Sequence, residues 1–123
     1  MTIAEAIQSV DSLKPNNYSE LEKIEWLNKL DSTIKKEIID THDDDGEITF
    51  NGYDDNTSLN TKLIVESPYD IVYIYWLQSQ IDYWNQELGK YNNSITMYNT
   101  AYSEYERYYN RAHTPINHKF KFF

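Results

Sequence analysis

The stretch Ser67–Arg111 reads "SPYDIVYIYWLQSQIDYWNQELGKYNNSITMYNTAYSEYERYYNR", and its periodicity decides the fold. Ile74, Leu77, Ile81, Trp84, Leu88, Tyr91, Ile95, Tyr98, Tyr102, Tyr105 and Tyr109 recur at alternating steps of three and four. That is heptad spacing, the period of a helix with one apolar seam. "SPYD" opens it as a helix start: Ser67 as cap, Pro68 in the first turn with its fixed φ, and Asp70 at the positive end of the dipole. The unbroken phase predicts one long helix from about Tyr69 to Arg111, roughly 60 Å at 1.5 Å per residue. "GKYNNS" (Gly89–Ser94) is poor helix material and marks a place for a kink. The alternative is a pair of helices breaking near Asn92.

Upstream, two capping boxes announce shorter helices. Thr2 pairs with Glu5 ahead of Ile3, Ile7 and Val10, and "KPNN" (Lys14–Asn17) ends that helix. Ser19 pairs with Glu22, and Leu21, Ile24, Leu27, Leu30, Ile34 and Ile38 line one face of a second helix over about Glu20–Ile39. Between this helix and Ser67 lies an irregular acidic insertion at about 40–66, with "EITF" (Glu47–Phe50) suited to a short strand. Pro115 stops the last helix. The expected fold is therefore an all-α helical bundle with one long C-terminal helix, an irregular or β-like insertion, and an extended tail. Residues 1–114 form the helical domain and 115–123 a basic, aromatic tail.

Composition narrows the function. The 123 residues suffice for one core, and the absence of cysteine removes disulfides, thiolate metal sites and cysteine nucleophiles. No secretory leader and no run long enough to span a bilayer are visible, so the expectation is a soluble chain made in a cytoplasm, without membrane contact. The formal charge of −9 is uneven: residues 1–106 hold all 20 acids against seven bases, a net −13, whereas residues 107–123 carry four bases and no acid. Such a body has no general affinity for nucleic-acid backbones.

The loop "THDDDGEITFNG" (Thr41–Gly52) looks like a calcium loop. With Gly46 at the sixth position, Asp43 and Asp45 fall on the third and fifth and Ile48 on the eighth. Thr41 and Gly52 occupy the first and twelfth positions, where the strongest ligands belong. The default reading of Asp43, Asp44, Asp45 and Glu47 is thus a hydrated acidic loop. His42 beside these aspartates makes a weak metal site, and His113 and His118 read as surface groups. No phosphate loop, nucleophile elbow or histidine pair occurs, and no carboxylate sits isolated among apolar neighbours. Neither catalysis, a cofactor nor a metal is expected.

Ten of the 12 tyrosines lie between Tyr69 and Tyr109. From Tyr98 onward the stripe is all tyrosine with polar neighbours, which predicts weak burial within one chain. Tyr98, Tyr102, Tyr105 and Tyr109 are therefore read as an inter-subunit stripe. "KFKFF", with Lys119, Phe120, Lys121, Phe122 and Phe123, is too short to bury its own rings and is expected to dock elsewhere.

"KKEIIDTH" (Lys35–His42), "FNGYD" (Phe50–Asp54), "SPYDIVYIYWLQSQIDYWNQE" (Ser67–Glu87) and "YNNSITMYNTAYSEYERYYNRAHTP" (Tyr91–Pro115) together resemble small proteins encoded near the capsid genes of tailed bacteriophages and prophages of low-GC bacteria. These are read as head–tail connector, or adaptor, proteins. The resemblance covers roughly Trp26–Pro115. It implies a virion protein of the neck: a homo-oligomeric ring, typically of a dozen copies, beneath the portal protein and above the next neck or tail component. DNA would pass through an acidic channel without sequence-specific binding, and Lys119–Phe123 would dock on the portal. Two rivals stay open, a tail-completion or terminator protein and a coiled-coil interaction module.

Overall fold

The computed structural model describes residues 1–42 and 48–113. The chain is all-α, with four helices among the described residues: α1 (Ile3–Leu13), α2 (Glu20–Glu37), α3 (Ile71–Trp84) and α4 (Leu88–Ala112). A short 3-10 turn, Ile39–Thr41, follows α2.

Both capping boxes form as the sequence predicts. The Thr2 hydroxyl accepts from the Glu5 N–H at 3.1 Å, and the Glu5 carboxylate accepts from the Thr2 N–H at 2.8 Å. Ser19 and Glu22 repeat the exchange at 3.1 and 2.9 Å. Each box satisfies two backbone donors that a helix start leaves open, a contribution of about 1 kcal/mol per cap. The insertion serves α1 as well. The Thr61 and Leu59 carbonyls accept from the Ile3 and Ala4 N–H groups, both at 3.0 Å.

Ile3, Ala6 and Val10 of α1, and Leu27, Leu30 and Ile34 of α2, point into one core. Val65, Val72, Leu77 and Ile81 meet them from the insertion and α3. The closest pairing of helices is α3 with α4.

The single long helix expected over Tyr69–Arg111 is corrected to a hairpin, and the break lies at Asn85–Glu87 rather than at Gly89–Ser94 or near Asn92. The Gln86 N–H donates to the Tyr83 carbonyl and the Glu87 N–H to the Asp82 carbonyl, both at 3.0 Å, while Gln86 takes φ +58°. This is the Schellman closure, in which a left-handed residue lets its own N–H and the next one satisfy the last carbonyls. Gly89 falls in the first turn of α4, where a weak helix former costs little, so no kink is needed.

"SPYD" departs from expectation too. The Ser67–Pro68 peptide bond is cis, the Tyr69 N–H bonds the Glu66 carbonyl at 2.9 Å, and α3 begins at Ile71. Asp70 holds the cap position without a side-chain capping bond, so Ser67 is not the cap. The strand expected at "EITF" is absent from Ile48–Phe50, the part among the described residues.

At φ +58° Gln86 gives up about 1 kcal/mol relative to glycine. Gln86→Gly is therefore expected to raise the unfolding free energy measured in urea, by up to about 1 kcal/mol. In one continuous helix the same change would lower stability by about 1 kcal/mol, so the sign of the shift separates hairpin from rod.

Candidate functional site

Three features stand out from the packed body: an apolar knob at the hairpin turn, an aromatic cleft at the other end of α4, and two sealed carboxylates. The knob follows from the turn. Trp84 ends α3 and Leu88 begins α4, so both lie beyond the reach of the partner helix. Tyr83, Trp84 and Leu88 stay 50, 57 and 68 % exposed. The heptad seam includes Trp84 and Leu88, yet both are at the surface because the helix ends between them. The Tyr83 and Trp84 rings meet edge to face at 5.2 Å, and Tyr83 lies 5.6 Å from Tyr91. The Tyr18 hydroxyl donates to the Asn85 side-chain oxygen at 2.7 Å and steadies the turn.

The tyrosine stripe turns inward. Tyr105 and Tyr109 are 4 and 3 % exposed, which corrects the expectation of weak burial within one chain. Folding α4 back onto α3 supplies the apolar face that the sequence left unassigned, so these two rings are not available to a second copy. Tyr98 and Tyr102 are partly buried. The Tyr98 ring lies 5.0 Å from Trp76, and the Tyr102 hydroxyl donates to the Glu37 carboxylate at 2.9 Å. Burial, with the Glu37 charge nearby, pushes the Tyr98 phenol up to about 12, and burial with the Glu37 bond raises Tyr102 as well. Both stay protonated, and Tyr102 remains a donor to Glu37.

Beside Tyr105 a cleft of about 360 Å³ opens, walled by Ile48, Ile64, Tyr69, Tyr108 and His113, with Glu66 at its edge. Tyr69 and Tyr108 stack at 4.6 Å, and His113 stacks on Tyr109 at 3.9 Å.

The carboxylates that matter are ones the sequence does not flag. Asp31 on α2 is fully buried and accepts three bonds: from the Tyr53 hydroxyl at 2.5 Å, the Tyr73 hydroxyl at 2.7 Å and the Ile64 N–H at 3.1 Å. Tyr73 in turn accepts from the Val65 N–H at 2.7 Å. Asp82 on α3, also sealed, takes the Lys14 ammonium at 2.5 Å and the Ser94 hydroxyl at 2.9 Å, tying the ends of α1, α3 and α4 together. His42 is likewise buried, not displayed beside its aspartates. Its Nδ1 lies 2.6 Å from the Ile38 carbonyl and its Nε2 2.8 Å from the Asn110 side chain. Asp31, Asp82 and His42 each bond to other parts of the fold.

The acidic loop residues Asp43, Asp44, Asp45 and Glu47 lie outside the described residues, as do Lys119, Phe120, Lys121, Phe122 and Phe123 of the tail. Among the described residues no group of three or more His, Asp or Glu side chains is placed to hold a metal ion. No helix among them is long and apolar enough to cross a membrane. Compared with known protein families, characterised proteins and solved structures, the chain matches none.

Burial pushes the Asp31 carboxyl above its ordinary 3.8, against the pull of its three donors. The folded chain therefore holds that proton more tightly than the unfolded one. The resulting stabilisation is complete below pH 3.8 and is lost as pH rises through the raised folded value. Asp31→Asn turns an amide N–H toward a group that already donates. At neutral pH it is expected to cost about 1–3 kcal/mol. Because the variant cannot take up the proton, the wild-type advantage in denaturant titrations should widen as pH falls from 7 toward 4. An advantage that stays constant with pH contradicts the assignment.

Proposed function

We propose that this chain is a structural subunit of a tailed-phage particle: a head–tail connector, or adaptor, that joins copies of itself in a ring beneath the portal and borders the DNA channel. The observation that carries the reading is the knob of Tyr83, Trp84 and Leu88, a set of large apolar side chains exposed together at the end of a helical hairpin. Exposed aromatics with no role in their own core suit a protein interface. The resemblance over Trp26–Pro115 supplies the kind of assembly. A net −13 over residues 1–106 suits a channel wall that lets DNA slide by repelling its phosphates. In this reading Lys119–Phe123 dock on the portal, and no reaction is catalysed.

The coiled-coil module loses its motive, because the heptad run packs against itself across the hairpin. A tail-completion ring would use the same surfaces, so position in the particle is what separates it from a connector.

Portal rings from the same genome, mixed with this chain and weighed by native mass spectrometry, should acquire a full ring of bound copies. Trp84→Glu and Leu88→Glu, surface changes expected to shift stability by no more than about 0.5 kcal/mol, should weaken ring formation by at least about 30-fold, the loss of a ~2 kcal/mol contact. Ending the chain at Thr114 should abolish attachment to the portal. Intact chain that ignores portal rings but binds tail tubes would place the protein in the tail, and binding to neither would remove the virion reading.

A further inference from the structure

We propose that the hairpin turn of one copy docks into a groove at the opposite end of the α3–α4 hairpin of a second copy, so that subunits join head to tail. The groove, of about 410 Å³, is lined by Pro68, Ile71 and Ala101 and flanked by Arg107 and Arg111 of α4. Its volume lies in the range of sites that take drug-sized groups. Ile71 is 42 % exposed, although the other aliphatics of its helix, Val72, Ile74, Leu77 and Ile81, are buried. Because α4 folds back along α3, Ile71 and Arg111 mark one end of the hairpin, and Trp84 and Leu88 the other.

The two ends differ in charge as well as in shape. Near the turn, Lys14, Lys23 and Lys90 are paired with Asp82, Asp11 and Glu87. Glu20 and Glu22 follow two and four residues after Tyr18, whose hydroxyl bonds Asn85 of the turn. Both are exposed, and neither makes an ion pair among the described residues. The turn therefore presents apolar side chains beside uncompensated acids. In the groove the sign reverses. Arg107 and Arg111, four residues apart on α4, are exposed and make no ion pair or hydrogen bond among the described residues. Two arginines against the lining Glu104 leave the groove a net +1 on a strongly acidic body.

These charges select the partner surface. Two turns meeting face to face would set Glu20 and Glu22 of both copies against each other, and two grooves would oppose four arginines; like charges so placed disfavour both pairings. Turn against groove sets Trp84 and Leu88 on Pro68 and Ile71, with carboxylates facing guanidinium groups that can bond them in pairs. Each copy then keeps a free turn at one side and a free groove at the other. A contact of this kind repeats, and closes into a ring or continues as a filament. The inference rests on the self-assembly proposed above and names what that reading leaves open, the surface that receives the knob.

Two one-sided variants test it without the portal. Trp84→Glu with Leu88→Glu removes the turn surface, and Arg107→Glu with Arg111→Glu removes the groove surface. All four residues are exposed, so each variant is expected to keep the wild-type melting transition. In native mass spectrometry each variant alone should stay monomeric. Their mixture should give a pair with one of each and nothing larger, because a single intact groove meets a single intact turn. With the turn variant isotope-enriched, its Ile71 and Ala101 nuclear magnetic resonance signals should shift on adding the groove variant, and the pair should weaken as salt rises. Self-pairing of the groove variant would reveal turn-to-turn contact, and self-pairing of the turn variant groove-to-groove contact; either overturns the proposal. A mixture that forms no pair tighter than about 1 mM overturns the docking alone. The connector reading is decided separately, by whether portal rings acquire bound copies.

Discussion

A carboxylate sealed from water has to be given donors, and Asp31 collects them from the insertion and from α3. Tyr53 and Ile64 reach it from 22 and 33 residues away along the sequence, and Tyr73 from 42. Leaving any of these groups unpaired in the interior would cost about 1–3 kcal/mol. One side chain on α2 thereby fixes the path of the insertion and the position of α3. The position of α3 sets the rest: it determines where Asp82 meets Lys14 and Ser94, and which face α4 finds when it returns. The insertion, lacking strands among its described residues, is held by these bonds and by Leu63 and Val65 in the core.

The helical part was legible because its signals are local. Both capping boxes and the apolar face of α2 act within a turn or two of themselves. The hairpin was hidden by the same regularity that revealed the helices. Two helices that pack on one another each need an apolar seam, and a turn of three residues happens to keep Trp84, Leu88 and Tyr91 in step. Heptad phase therefore does not distinguish a rod from its folded form. The signal that does is a backbone one, a glutamine in the left-handed region, which Asn85–Gln86–Glu87 do not advertise as a glycine would.

The interaction surfaces were legible only in type. Sequence pointed to tyrosines meeting tyrosines. In the structure Tyr105 and Tyr109 meet their own chain, and the most exposed aromatics among the described residues are Tyr83 and Trp84 at the turn. Asp31 was invisible for a different reason: beside Ser32 and Thr33 it reads as part of a solvated face, and its partners are distant in sequence. His42 sits next to three aspartates, yet its partners are the Ile38 carbonyl and Asn110.

What unites fold and function in this account is that the chain spends its heptad run on itself, leaving the turn and the tail for partners. Spin labels at Ile71→Cys and Arg111→Cys test that directly, because the two positions line one groove between α3 and α4. The expected pulsed electron resonance distance combines the ~8–10 Å spacing of packed helices, the roughly 15 Å by which Arg111 runs past Ile71 along α4, and the label arms. A distance near the ~60 Å of an uninterrupted helix over the same residues would contradict it and return the seam to a partner chain.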